Sequence, residues 1–114
     1  MLEIKTRHAG GVTVLDVSGA LIWRSGMESL SQRVRQLVAE QRLNVVVNVQ
    51  GLSVIDSSGV GELVASFSTL KRAGGALKVA GPTKLVQDVL RIARIPTIIE
   101  VYDTEEAAVN AFSA

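Results

Sequence analysis

From Leu2 to Ser18 apolar and polar residues alternate in two runs separated by Ala9, Gly10 and Gly11, with Val12, Val14 and Val17 in the second run. A period of two interrupted by glycine predicts two strands joined as a hairpin. After Gly19 the period lengthens. Met27, Leu30, Val34, Leu37 and Val38 recur at helical spacing, and Ser25 followed by Glu28 has the form of a capping box. A first amphipathic helix is expected from about Gly26 to about Gln41. The run Val45, Val46, Val47, Asn48, Val49 is too apolar for a strand with one wet face and predicts a central strand covered on both sides.

Asp56 to Gly59 precede a second helical pattern, Val60, Leu63, Val64, Phe67 and Leu70, which Gly74 and Gly75 close. A strand is expected at Ala76 to Ala80. Pro82 stands where a first helical residue would, followed by an apolar stripe of Leu85, Val86, Val89 and Leu90, and Pro96 ends that helix. Thr97 to Val101 reads as a short strand. Asp103 with Glu106 forms a second capping-box-like pair before a final helix carrying Ala107, Val109, Ala111 and Phe112. Strands alternating with helices imply right-handed crossovers and a parallel sheet, with the opening hairpin supplying an antiparallel edge. The expectation is an α/β sandwich, a mostly parallel mixed sheet of about five strands with about four helices, in one domain over residues 1–114.

Composition narrows the function. The 114 residues are 47% hydrophobic and 20% charged, which describes a folded chain rather than a disordered one. Twelve basic residues against 11 acidic ones leave a formal charge of +1, so no global field holds nucleic acid. There is no cysteine, which removes disulfides and thiolate chemistry and fits a reducing compartment. A single histidine, His8, supports neither a hydrolase triad nor a multi-histidine metal site. No metal, cofactor or catalytic residue is expected. No basic-then-apolar leader opens the chain and no apolar run approaches the roughly 20 residues that span a bilayer, so no membrane insertion is expected.

Leu52 to Gly61, reading Leu-Ser-Val-Ile-Asp-Ser-Ser-Gly-Val-Gly, gathers two hydroxyls, a carboxylate and two glycines at a strand-to-helix junction. An Asp or Ser there accepts from unpaired backbone N–H groups of the first helical turn, and a well-capped helix would account for the whole segment. The same N–H groups and the positive end of the helix dipole also favour a phosphate, by roughly 0.3–1 kcal/mol. Phosphorylation of a serine in that turn would bring about −1.5 to −2 charge units to a nearly neutral surface.

The segment Val45 to Gly61, an apolar strand leading into Asp56-Ser57-Ser58-Gly59-Val60-Gly61, resembles the signature of STAS domains. Val17-Ser18-Gly19, Gly74-Gly75 and the Pro96 region also fall where that family puts them. The anti-sigma-factor antagonists of the family imply a non-enzymatic, cytoplasmic partner-switching role. By that resemblance Ser58 is the phosphoacceptor, with Ser57 as the alternative, and the partner is an anti-sigma factor and serine kinase of GHKL type, with a serine phosphatase reversing the mark. Asp56 and Ser57 would shape the recognised loop, and Gly59 and Gly61 would keep it free of side-chain bulk. The family usually has an acid in a Gly-x-Leu-Asp pattern after the second strand. Here Gly19-Ala20-Leu21 is followed by Ile22, Trp23 and Arg24, so Ile22 and Trp23 either join the partner surface or cover the sheet edge.

Two other roles compete: a STAS subunit serving a sulfate or lipid transporter, and a small enzyme using Asp56 and Ser58, for which no orienting third group can be named. A monomer or weak homodimer is expected. Arg33, Arg35 and Arg42 read as a solvated helix face shared with Glu40, and Gly59-Val60-Gly61 lacks the third glycine of a dinucleotide turn.

Overall fold

In the computed structural model, which describes residues 2–23 and 29–113, five strands form one sheet in the order β1-β2-β3-β4-β5. β1 (Leu2–Ala9) and β2 (Val12–Leu21) are the expected hairpin, paired antiparallel from Leu2 with Gly19 to Ala9 with Val12. β3 (Asn44–Ile55), β4 (Ala76–Ala80) and β5 (Val101–Tyr102) run parallel to β2. The helices are α1 (Leu30–Ala39), α2 (Ser57–Arg72), α3 (Lys84–Ile92) and α4 (Glu105–Asn110).

β3 is the central strand its composition predicts, and the period of two sorts its valines onto two cores. Val45, Val47 and Val49 join Leu15, Val17, Leu77 and Val79 on one face, under Leu30, Val34 and Leu37 of α1, Leu63 and Leu70 of α2, and Val86 and Leu90 of α3. Val46 joins Val12, Val14 and Ala80 on the other face, under Ala108 of α4 with Val109 and Phe112. Each fully buried Val or Leu contributes roughly 1.5–3 kcal/mol, so the valine run is explained by burial on both sides. Along β3, β4 pairs only with Asn44 to Asn48, and beyond them β3 is held by β2 alone as far as Ile55 beside Leu21. That overhang delivers Asp56 and the start of α2 to the end of β2.

α2 ends as expected. Gly74 adopts φ 91°, where a β-carbon is strained, and the Gly75 N–H reaches back 2.8 Å to the Leu70 carbonyl.

Local expectations are corrected at four elements. α1 begins at Leu30, because Ser29 is extended and caps it reciprocally with Gln32. The Ser25–Glu28 pair and Met27 lie outside the described residues. α3 begins at Lys84 rather than Pro82, since the Thr83 side chain accepts from the Val86 N–H and defines the cap. Leu85, placed in its buried stripe, is 56% exposed. The expected strand at Thr97 to Val101 is mostly not one: Pro96 sits in a single 3₁₀ turn, Ile95–Thr97, and only Val101 and Tyr102 pair with β4. The final helix is capped by Thr104, which accepts from the Ala107 N–H, not by Asp103, and its last residue is Asn110, so Ala111 and Phe112 follow it.

Candidate functional site at the start of α2

Asp56 is the N-cap of α2, in extended conformation, and its two carboxylate oxygens do different work. Oδ1 accepts from the Gly59 N–H at 3.0 Å, satisfying a donor of the first turn, and Oδ2 accepts from the Trp23 N–H at 3.3 Å. The backbone is tied at the same place, with the Asp56 N–H donating to the Leu21 carbonyl. The Gly59 N–H, then the Trp23 and Ser58 N–H groups, hold the Asp56 carboxyl below its ordinary range. The acid is therefore an ionised clamp on the backbone.

With the cap supplied by Asp56, Ser57 and Ser58 occupy the first two helical positions, both exposed, and neither hydroxyl has a partner among the described residues. The two glycines that follow point in opposite directions. Gly59 is buried, and a β-carbon there would collide with the Leu21 carbonyl oxygen and lie 2.8 Å from Ile55 Cγ1, so its role is to let α2 approach the end of β2. Around Gly61 nothing lies within 4 Å of such a β-carbon, which leaves a smooth outer face one turn beyond Ser58. Of the two, only Gly61 keeps the accessible surface free of bulk.

Ile22 is 36% exposed and Trp23 67%, and the Asp56–Trp23 bond brings them to the serines. The first turn of α1 is fastened to α2 by a residue that sequence reasoning passed over. Glu62 accepts from the Ser31 N–H at 3.2 Å and from the Ser31 hydroxyl at 3.1 Å, so one carboxylate of α2 supports the first turn of α1. No local pattern announces a pair 31 residues apart. Asp56, Ser57, Ser58, Gly61, Ile22 and Trp23 thus share one end of the molecule, while Gly59 lies beneath it.

Residues 3–108 match the STAS domain family. The chain belongs to that family. Among curated relatives, a Paenibacillus polymyxa anti-sigma F factor antagonist is 26% identical over 112 residues, covering 98% of this chain and 93% of the relative. Among solved structures, an anti-sigma factor antagonist from Mycobacterium paratuberculosis aligns with TM-score 0.87 at 20% identity, over 100% of this chain and 96% of that one. The Bacillus cell fate determinant SpoIIAA in its phosphorylated form aligns with TM-score 0.71 at 18% identity, over 98% and 99%. These structures show that the STAS fold is shared end to end.

Within this STAS domain the described residues contain no cluster of three His, Cys, Asp or Glu groups that could hold a metal ion. No helix among them is long and apolar enough to cross a membrane. His8 lies on the hairpin, its Nδ1 3.2 Å from the Thr13 hydroxyl. Both Asp56 oxygens accept from N–H groups, and the hydroxyls of Ser57 and Ser58 stand exposed beside them.

Proposed function

We propose that this STAS domain is an anti-sigma-factor antagonist, a cytoplasmic, non-enzymatic switch that binds an anti-sigma factor and serine kinase of GHKL type through the exposed start of α2. The observation that carries this reading is the pair of unpartnered hydroxyls on a first turn already capped by Asp56. A cap serine would be occupied; these two are available to a kinase. Ser58 is the phosphoacceptor, with Ser57 as the alternative, and a serine phosphatase restores the binding state. The P. polymyxa relative carries the antagonist description, and a structural neighbour is known phosphorylated, which supports the assignment.

Phosphorylation works here because the helix N-terminus tolerates the new charge in the free protein while the complex does not. Forcing an unpaired charge against a surface shaped for a neutral hydroxyl costs several kcal/mol, roughly tenfold in affinity for each 1.4 kcal/mol. Ser58→Asp carries about half of the phosphate's charge, so its affinity for the kinase is expected to fall by about two decades or more, with the circular dichroism of the wild type. Ser58→Ala should bind and should not be phosphorylated. Equal phosphate on wild type and Ser58→Ala, mapped by mass spectrometry, would move the site to Ser57 or elsewhere, and unchanged titration of Ser58→Asp would sink the switch.

A further inference from the structure

The start of α2 and the last turn of α3 border a groove of about 320 Å³ lined by Ser57, Val60, Val89, Ile92 and Ala93. Apart from the Ser57 hydroxyl, the lining side chains are apolar. Ile92 is 83% exposed and Leu85, two turns earlier on α3, is 56% exposed. An isolated apolar side chain on a surface is ordinary, but here two on one helix accompany a groove that reaches the serines.

On its α3 side the groove is bordered mainly by cations. α3 and its exit carry Lys84, Arg91 and Arg94 against Asp88 alone. Asp88 Oδ1 is shared by Lys84 Nζ at 3.4 Å and Arg91 Nη1 at 3.6 Å, so a single carboxylate faces two cations. Arg94 directly follows Ala93 of the groove wall, and its guanidinium has no partner among the described residues. It also stands at φ 59°, a left-handed conformation in which glycine is the unstrained residue. The carboxylates of α2 lie at the groove's serine end and are held by neutral donors rather than by these cations. Asp56 is directed to the Gly59 and Trp23 N–H groups, and Glu62 to Ser31.

We propose that this groove takes a large apolar side chain from an acidic amphipathic segment of the protein that docks on Ser57 and Ser58, with Arg91 and Arg94 facing the segment's carboxylates. The inference rests on the antagonist reading and specifies its partner. It also gives the phosphate a defined adversary: an acidic segment drawn to a cationic rim is repelled by about −1.5 to −2 charges placed at the groove's serine end.

Each purified anti-sigma factor kinase of the source genome serves as a probe in isothermal titration, at low and high salt, and the one that binds wild type is carried forward. Ile92→Ser removes a side chain that is 83% exposed, so the fold should hold while affinity falls at least tenfold. Arg94→Glu should cost at least tenfold and flatten the salt dependence. Arg94→Gly should raise the melting temperature by removing a left-handed arginine, yet still bind more weakly, which separates recognition from folding. If wild type binds and Ile92→Ser and Arg94→Glu bind as tightly, the groove is not the docking surface and the antagonist reading stands. A loss at Ile92 with none at Arg94 would overturn the acidic character of the segment. If no kinase binds wild type, the antagonist reading falls and the groove assignment with it.

Discussion

On the face under α4, Arg7 donates to both Asp16 and Glu105 and Asn48 donates to Glu105, whereas at the start of α2 the carboxylates of Asp56 and Glu62 accept from backbone N–H groups and one serine. The first arrangement closes on itself. One cation bridges two acids, Lys78 pairs with Glu100 and lies 4.9 Å from the Phe112 ring centre, and the outcome is attachment of the six-residue α4 to the sheet. The second arrangement holds backbone and leaves side chains outside it, so Ser57 and Ser58 face solvent on a turn that is nonetheless rigidly capped. Carboxylates of similar exposure therefore build a fastening in one place and a presentation surface in the other. The main partner of the acid, a side-chain cation or a backbone N–H, makes the difference.

The comparison breaks most severely at Gly59. Gly59→Ala drives a β-carbon into the Leu21 carbonyl and against the Leu21 and Ile55 side chains, and backbone cannot give way as a flexible side chain can. A loss of about 3 kcal/mol or more is expected, at the upper end of overpacking costs, read as a lower urea midpoint with unchanged slope. A midpoint within error of wild type would mean that α2 does not lie this close to β2.

Glu62→Ala comes next. It strips the N–H of Ser31, which is 7% exposed, of its side-chain acceptor and leaves the Ser31 hydroxyl with Ser29 Oγ alone, at 3.2 Å, so a loss at the lower end of about 1–3 kcal/mol is expected. Trp23 is the only tryptophan, so its fluorescence reports the loop directly. If the Asp56 and Glu62 clamps act together, Glu62→Ala should shift that emission; an unchanged spectrum would confine Glu62 to α1.

Acid sharpens the comparison further. Glu105 is held below its ordinary range by Arg7 and Glu100 by Lys78, as Asp56 is by the Gly59 N–H. A depressed folded pKa contributes stability that is present above the unfolded value and is lost as pH falls through the folded one. The melting temperature should accordingly fall on acidification from about pH 4 downward. Arg7→Ala removes the Glu105 share and Asp56→Asn the Asp56 share, with that of Glu100 left in place, so each should flatten part of the acid limb. At neutral pH Arg7→Ala should cost no more than about 1 kcal/mol, since the arginine is half exposed. An acid limb identical in all three proteins would show that neither cluster governs it.

What the sequence could disclose follows from the range of each interaction. The valine run of β3, the opening hairpin, the Asp56 cap and the Gly74–Gly75 stop all act within a few residues and are legible. The start of α1 was not legible, because Ser29 and Gln32 cap it reciprocally, while the expected Ser25–Glu28 pair lies outside the described residues. β5 was overread because Thr97 to Val101 has strand composition while Pro96 and the buried Ile95 and Ile99 serve a 3₁₀ turn. Within the site, the capping acid and both serines were legible. The inward Gly59, the Glu62 clamp and the groove against Ile92 were not, because each depends on which elements end up adjacent.

The smallest expected effect has the opposite sign to the largest, although the chemistry is the same substitution two residues along. Gly61 is on the outer face of α2, past the first turn, with nothing within 4 Å of an added β-carbon. Gly61→Ala therefore incurs no clash and removes backbone freedom from the unfolded chain, which stabilises by about 0.5 kcal/mol and raises the melting temperature by a few degrees. The same methyl group would stand on the proposed docking face one turn from Ser58. Close-packed interfaces tolerate inserted volume no better than cores do, so partner affinity should fall several-fold while stability rises. Destabilisation would mean that this face of α2 is covered. Stabilisation with affinity inside a factor of two of wild type would remove Gly61 from the docking surface and confine the contact to Ser57, Ser58 and the α3 side.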